Sequence, residues 1–89
     1  MNGRSLVARN LRRIRVTKGV SQERLAFDSG IDRSYLGGIE REAENPTVDL
    51  MDRLASTLGV PLAELFAEPG RVEGKVDGLK RGRRKIRST

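Results

Sequence analysis

The chain has 89 residues, with 18 Lys and Arg against 12 Asp and Glu, and it contains neither His nor Cys. That length is one small domain. The missing Cys excludes a disulfide scaffold and a thiolate zinc site, and the missing His removes the commonest general base and metal ligand. No apolar run approaches the roughly 18 residues of a membrane span. The apolar stretch near the N-terminus is too short for a signal peptide, so a reduced, cytoplasmic location is expected.

Val7, Leu11 and Ile14 fall at i, i+4 and i+7, which predicts a first helix over 6–18, with Ser5 as N-cap and Gly19 just past its end. Ser21 is a good N-cap for a second helix from Gln22 to about Ser29, with Leu25 and Ala26 inward and Gly30 breaking it. Asp32 opens a third helix through about Glu40, whose inward pair is Leu36 and Ile39. Asn45-Pro46 signals a turn, because the residue before proline disfavours the α region. Thr47 then caps a fourth helix with Val48, Met51, Leu54, Ala55 and Leu58 on one stripe, stopped by Gly59. Pro61 suits the first turn of a short fifth helix ending near Phe66.

Beyond this point periodicity is lost. Gly70, Gly74, Gly78 and Gly82 recur every four residues among basic side chains, a spacing that opposes a stable helix. The expected organisation is therefore an all-α domain over residues 1–69, followed by a basic flexible tail over 70–89.

The charge is unevenly placed. Residues 1–24 hold seven basic side chains against Glu23, residues 25–69 hold three against nine acids, and residues 70–89 hold eight against Glu73 and Asp77. The first 69 residues are thus neutral overall, and the tail carries the net +6. A basic balance suits an anionic partner, nucleic acid first, and serves solubility equally well.

Helices two and three, joined by Gly30-Ile31, read as a helix-turn-helix over about 21–40. The order Ser21-Gln22 with Leu25-Ala26, Gly30-Ile31, Ser34-Tyr35-Leu36 with Ile39-Glu40-Arg41, Asn45-Pro46-Thr47, and Leu54-Ala55 through Leu58-Gly59-Val60 resembles the Cro/CI-type (lambda-repressor-like, XRE-type) DNA-binding domain. The resemblance runs from about Val7 to Phe66 and implies a compact five-helix fold. On the third helix, Arg33, Ser34, Gly37 and Gly38 span one face of about 140°, opposite Leu36 and Ile39. That face is free to enter a major groove. Arg33 has the donor fork for guanine O6 and N7, and Ser34 suits a base edge or a phosphate. An alternative reading makes Arg33 an ordinary solvated charge.

Further roles follow from the resemblance. It implies that Gln22 bonds a phosphate and buttresses Arg33, and that Tyr35 and Arg41 contact the DNA backbone; Tyr35 equally fits a half-buried core position. It also implies a structural ion pair between Arg15 and Glu40. In the family the position of Gly38 often bears a base-reading side chain, whereas Gly37-Gly38 bears none. Two helical glycines cost roughly 1 kcal/mol each, so the pair suggests close backbone approach to DNA or a weakly constrained turn. Glu42 stands where the family usually has a capping Gly, and Glu42 and Glu44 would repel phosphate or turn the loop away.

The leading expectation is a transcriptional regulator, possessing no cofactor or metal, that binds double-stranded DNA as a homodimer on a palindromic operator. Leu50, Leu62, Leu65 and Phe66 are the dimer-interface candidates, although Leu62 and Leu65 equally fit the monomer core. An alternative is an antitoxin-like protein that binds a partner protein through its tail and autoregulates its operon. A third reading is sequence-independent nucleic-acid binding driven by the tail. Enzymatic activity is disfavoured, because there is no Gly-rich phosphate loop followed by Lys-Ser/Thr.

Overall fold

The structure, a computed structural model, describes residues 1–70. It contains four α-helices, α1 (Gly3–Thr17), α2 (Gln22–Ser29), α3 (Arg33–Glu40) and α4 (Val48–Leu58), and a closing 3₁₀ turn, Leu62–Phe66. The expected tail falls, apart from Gly70, outside the described residues.

Each helix starts on a side-chain cap that satisfies an orphan backbone N–H. Ser21 Oγ accepts from the Arg24 N–H at 3.0 Å. Asp32 Oδ2 accepts from the Tyr35 N–H at 3.1 Å, and Thr47 Oγ1 from the Leu50 N–H at 3.0 Å. The first helix begins earlier than predicted. Asn2 Oδ1 accepts from the Ser5 N–H at 2.9 Å, so Asn2 is the cap and Ser5 lies inside the helix. Asn2 and Ser5 are both capping residue types, and the apolar stripe that selects between them begins only at Leu6. Gly30 and Gly59 end α2 and α4 in the left-handed conformation, with φ of 70° and 75°.

The fifth predicted helix is a single 3₁₀ turn with Pro61 as its N-cap. Five residues are too few to repay α-helix nucleation. The turn is held by Leu65, fully buried, and by Asn10, a fully buried polar residue of α1. Asn10 Nδ2 donates to the carbonyls of Leu65 at 3.0 Å and Ala67 at 2.9 Å, while its Oδ1 accepts from Arg13 Nη2 at 3.1 Å. The side chain thereby spends its donors on the backbone that closes the fold.

The core gathers one stripe from every element. Leu11, Leu25, Leu36, Ile39, Leu54 and Leu65 are its largest fully buried apolar members. α1 packs on α3 and on the 3₁₀ turn, α2 packs on α3 and α4, and α4 closes on the turn. Val48 departs from the predicted inward stripe and is 62% exposed, because it sits at the edge of the stripe in the first turn of α4. Two dimer-interface candidates meet different fates. Leu65 is inside the core and unavailable to a partner, while Phe66 beside it is 42% exposed. Leu50 and Leu62 are half-buried and packed against the core.

Candidate nucleic-acid interface

The α2–turn–α3 unit is built by local chemistry. The Ile31 N–H donates to Ala26 O at 2.9 Å, and Ser29 Oγ donates to Leu25 O at 2.6 Å. Left-handed Gly30 reverses the chain, Ile31 is buried, and Asp32 starts α3. With Leu36 and Ile39 in the core, the opposite side of α3 must face outward.

On that side Arg33, Ser34 and Arg41 are exposed. Arg33 is tethered only loosely. Its Nε lies 3.3 Å from Glu23 Oε2, and the two side chains are 54% and 70% exposed. The Glu23 carboxyl is held below its ordinary range, first by a hydrogen bond from its own backbone N–H and then by the Arg33 charge. Tyr35 is half-buried against the core, facing a shallow hollow with Ile31, Asp32, Leu50 and Arg53.

A half-buried polar cluster fixes the pose of α3. Arg15 Nε donates to Glu40 Oε2 at 2.7 Å and Arg15 Nη2 to Glu40 Oε1 at 3.0 Å. Arg15 Nη1 also donates to Val20 O at 2.8 Å. The hydrogen bond to Glu40 raises the Arg15 guanidinium above its usual value, against the opposing effect of burial. Gln22 Nε2 completes the cluster by donating to Glu40 Oε1 at 3.0 Å. Gln22 therefore does not buttress Arg33 as the resemblance implied. Its amide is turned to Glu40, and the residue beside Arg33 is Glu23, which sequence reasoning overlooked.

The glycine pair also differs from expectation. Gly37 and Gly38 lie on the outward side of α3 but are buried, so they leave no bare backbone for DNA to approach. A methyl group on Gly37 would lie 3.1 Å from Arg41 Nη1, and one on Gly38 would lie 2.6 Å from Glu44 Cγ. The side chains of Arg41 and Glu44 thus rest where the helix has none of its own. The two acids of the following loop take separate directions, because Glu42 Oε1 accepts from Ser5 Oγ at 2.7 Å and faces α1.

The helix-turn-helix family model matches residues 11–65, which contain the whole of this unit and its supporting helices. The chain belongs to this XRE-type helix-turn-helix family. It is 39% identical over 66 residues to a hypothetical transcription factor of Neisseria meningitidis serogroup B, a match covering 74% of this chain and 62% of that protein. Among solved structures, the restriction-modification controller C.AhdI of Aeromonas hydrophila superposes with a TM-score of 0.69 at 44% identity, covering 71% of this chain and 96% of that one. The controller C.Esp1396I, solved as a tetramer on its natural 35-base-pair operator, superposes with a TM-score of 0.68 at 35% identity, covering 74% and 87%. The relatives of this helix-turn-helix chain are thus DNA-binding transcription regulators. Among the described residues, no helix of this family member is long and apolar enough to cross a membrane.

Proposed function

We propose that this protein is a sequence-specific DNA-binding regulator that acts as a homodimer on a two-fold symmetric operator. The observation that carries the reading is the outward side of α3, where exposed Arg33, Ser34 and Arg41 project from a helix fixed behind by a half-buried Arg15–Glu40 pair. In this reading α3 enters the major groove. Arg33 exchanges its long contact to Glu23 for two hydrogen bonds to guanine O6 and N7. Ser34 meets a base edge, while Arg41, Tyr35 and the N-terminus of α2 at Gln22 hold phosphates.

Binding-site selection from a random duplex pool tests it. The wild type should enrich paired half-sites, and Arg33→Ala should lose about 1–3 kcal/mol on the best operator together with the preference at one base pair per half-site. An Arg33→Ala variant that keeps both affinity and preference would disprove the assigned face.

The dimer reading is supported by exposed Phe66, with half-buried Leu62 and Leu50, in a domain with a small core. Sedimentation should show a dimer at micromolar concentration, and Phe66→Glu should shift it to monomer. Only a 9.9 kDa species up to ~100 μM, with and without DNA, would end that part of the proposal.

A further inference from the structure

Gly38 sits one turn after Ser34 on the outward stripe of α3, so a side chain there would project toward the groove. Glu44 fills that place from the following loop. A Cβ on Gly38 would lie 2.6 Å from Glu44 Cγ, 3.4 Å from Oε2 and 3.5 Å from Cδ, so a carboxylate arm lies along the helix where the glycine leaves room.

We propose that Glu44 is a specificity-determining residue, its carboxylate standing in for the side chain that Gly38 lacks and selecting cytosine by accepting a hydrogen bond from the N4 amino group. This inference rests on the DNA-binding reading of α3.

Three observations converge. The loop is anchored at both ends. The Glu42 N–H donates to Ile39 O at 3.1 Å and the Ala43 N–H to Gly38 O at 2.8 Å, while Pro46 is buried and Thr47 caps α4. Glu44 is half-buried between these anchors, so less side-chain freedom is lost on binding. Its carboxylate makes no hydrogen bond or ion pair among the described residues, whereas Glu40 and Glu42 both do. An ionised carboxylate only accepts, so phosphates repel it and a base must offer it a donor. In the major groove cytosine N4 is the donor that Glu and Asp read. The same charge penalises any register that places a phosphate against it, which adds discrimination through repulsion.

The experiment is binding-site selection with the full chain and with Glu44→Ala, Glu44→Gln and Gly38→Ala, followed by titration of single-pair variants of the selected duplex. The wild type should enrich a C·G pair at one position of each half-site, besides the guanine assigned to Arg33. Replacing that pair by T·A should cost the wild type on the order of 10-fold and Glu44→Ala less than about 2-fold. Glu44→Gln should move the preference to adenine, since Gln pairs with adenine N6 and N7. Gly38→Ala should displace the arm and copy Glu44→Ala, and the double variant should add nothing further. The proposal is overturned if Glu44→Ala tightens binding to all duplexes by one factor and selects an unchanged sequence, the Arg33 guanine included. It is overturned together with the DNA-binding reading if the wild type enriches no sequence at all.

Discussion

Glu42 has a φ of 64°, the one positive value among the described non-glycine residues. It follows α3 in a turn closed by two backbone hydrogen bonds, from the Glu42 N–H to Ile39 O and from the Ala43 N–H to Gly38 O. That pair of bonds normally has glycine at the left-handed position, since a Cβ there crowds the following carbonyl. Those two backbone bonds hold Glu42 in the conformation, and its carboxylate adds an exposed hydrogen bond by accepting from Ser5 Oγ. The contact to Ser5 is exposed and contributes little, while the left-handed backbone costs about 1 kcal/mol or more. Glu42→Gly should therefore raise stability modestly, by about 0.5 kcal/mol once the lost hydrogen bond and the added chain entropy are subtracted. Urea denaturation of the two proteins measures it, and a destabilised variant would mean the Ser5 contact outweighs the strain. Because Glu42 points toward α1, neutralising it should leave sequence preference unchanged, unlike Glu44.

At the scale of elements, what was legible depended on whether the signal was local. Ser21, Asp32 and Thr47 as caps, and Gly30 and Gly59 as stops, are short-range chemistry and stand in the structure as the sequence predicts them. The inward stripes of α2 and α3 follow from period alone. Contacts between elements were less legible. The Arg15–Glu40 contact came from family resemblance, and no local rule places Glu44 against Gly38. Asn10 had a signal that went unused, since Val7, Asn10, Leu11 and Ile14 complete the i, i+3, i+4, i+7 pattern with one polar member. A polar residue on an apolar stripe must find partners when buried. Its partners are the carbonyls of Leu65 and Ala67, so one amide ties α1 to the 3₁₀ turn. Asn10→Ala removes both donors and strands a buried carbonyl, which should cost about 2–3 kcal/mol. Asn10→Asp should cost more, because it faces carbonyl oxygens with negative charge. Thermal or urea unfolding distinguishes the two, and a neutral Asn10→Ala would mean water replaces the amide there. The Glu40 cluster behaves alike. Glu40 is 4% exposed at its side chain and Arg15 12%, so Glu40→Ala leaves a mostly buried guanidinium unpaired, costing about 3 kcal/mol, and loosens α3 where it bears Arg33.

Charge acts over the whole molecule. Residues 1–69 sum to zero, and residues 70–89 supply all of the net +6. We propose a division of labour between them on DNA. Affinity has a large counterion-release contribution, with log K falling about 0.9 per phosphate neutralised for each decade of salt. Eight basic residues in the last twenty, with few apolar ones and no aromatic to stack on bases, suit contacts to phosphate. Such contacts add affinity with little sequence information, so discrimination must come from α3 and its loop. A chain ending at Pro69 tests this. Ending it at Phe66 would also delete the Ala67 carbonyl that Asn10 holds, and would confuse lost charge with lost stability. The Pro69 truncation should bind operator and scrambled duplexes more weakly by nearly the same factor. Its salt slope should flatten by several units if most of the tail's cations touch phosphate, and the ratio of the two affinities should hold while the dimer survives. An unchanged slope would mean that the tail does not touch DNA, and would favour the reading in which it binds a protein partner. A ratio that collapses while the slope flattens would place the tail in the minor groove as a second reader of sequence.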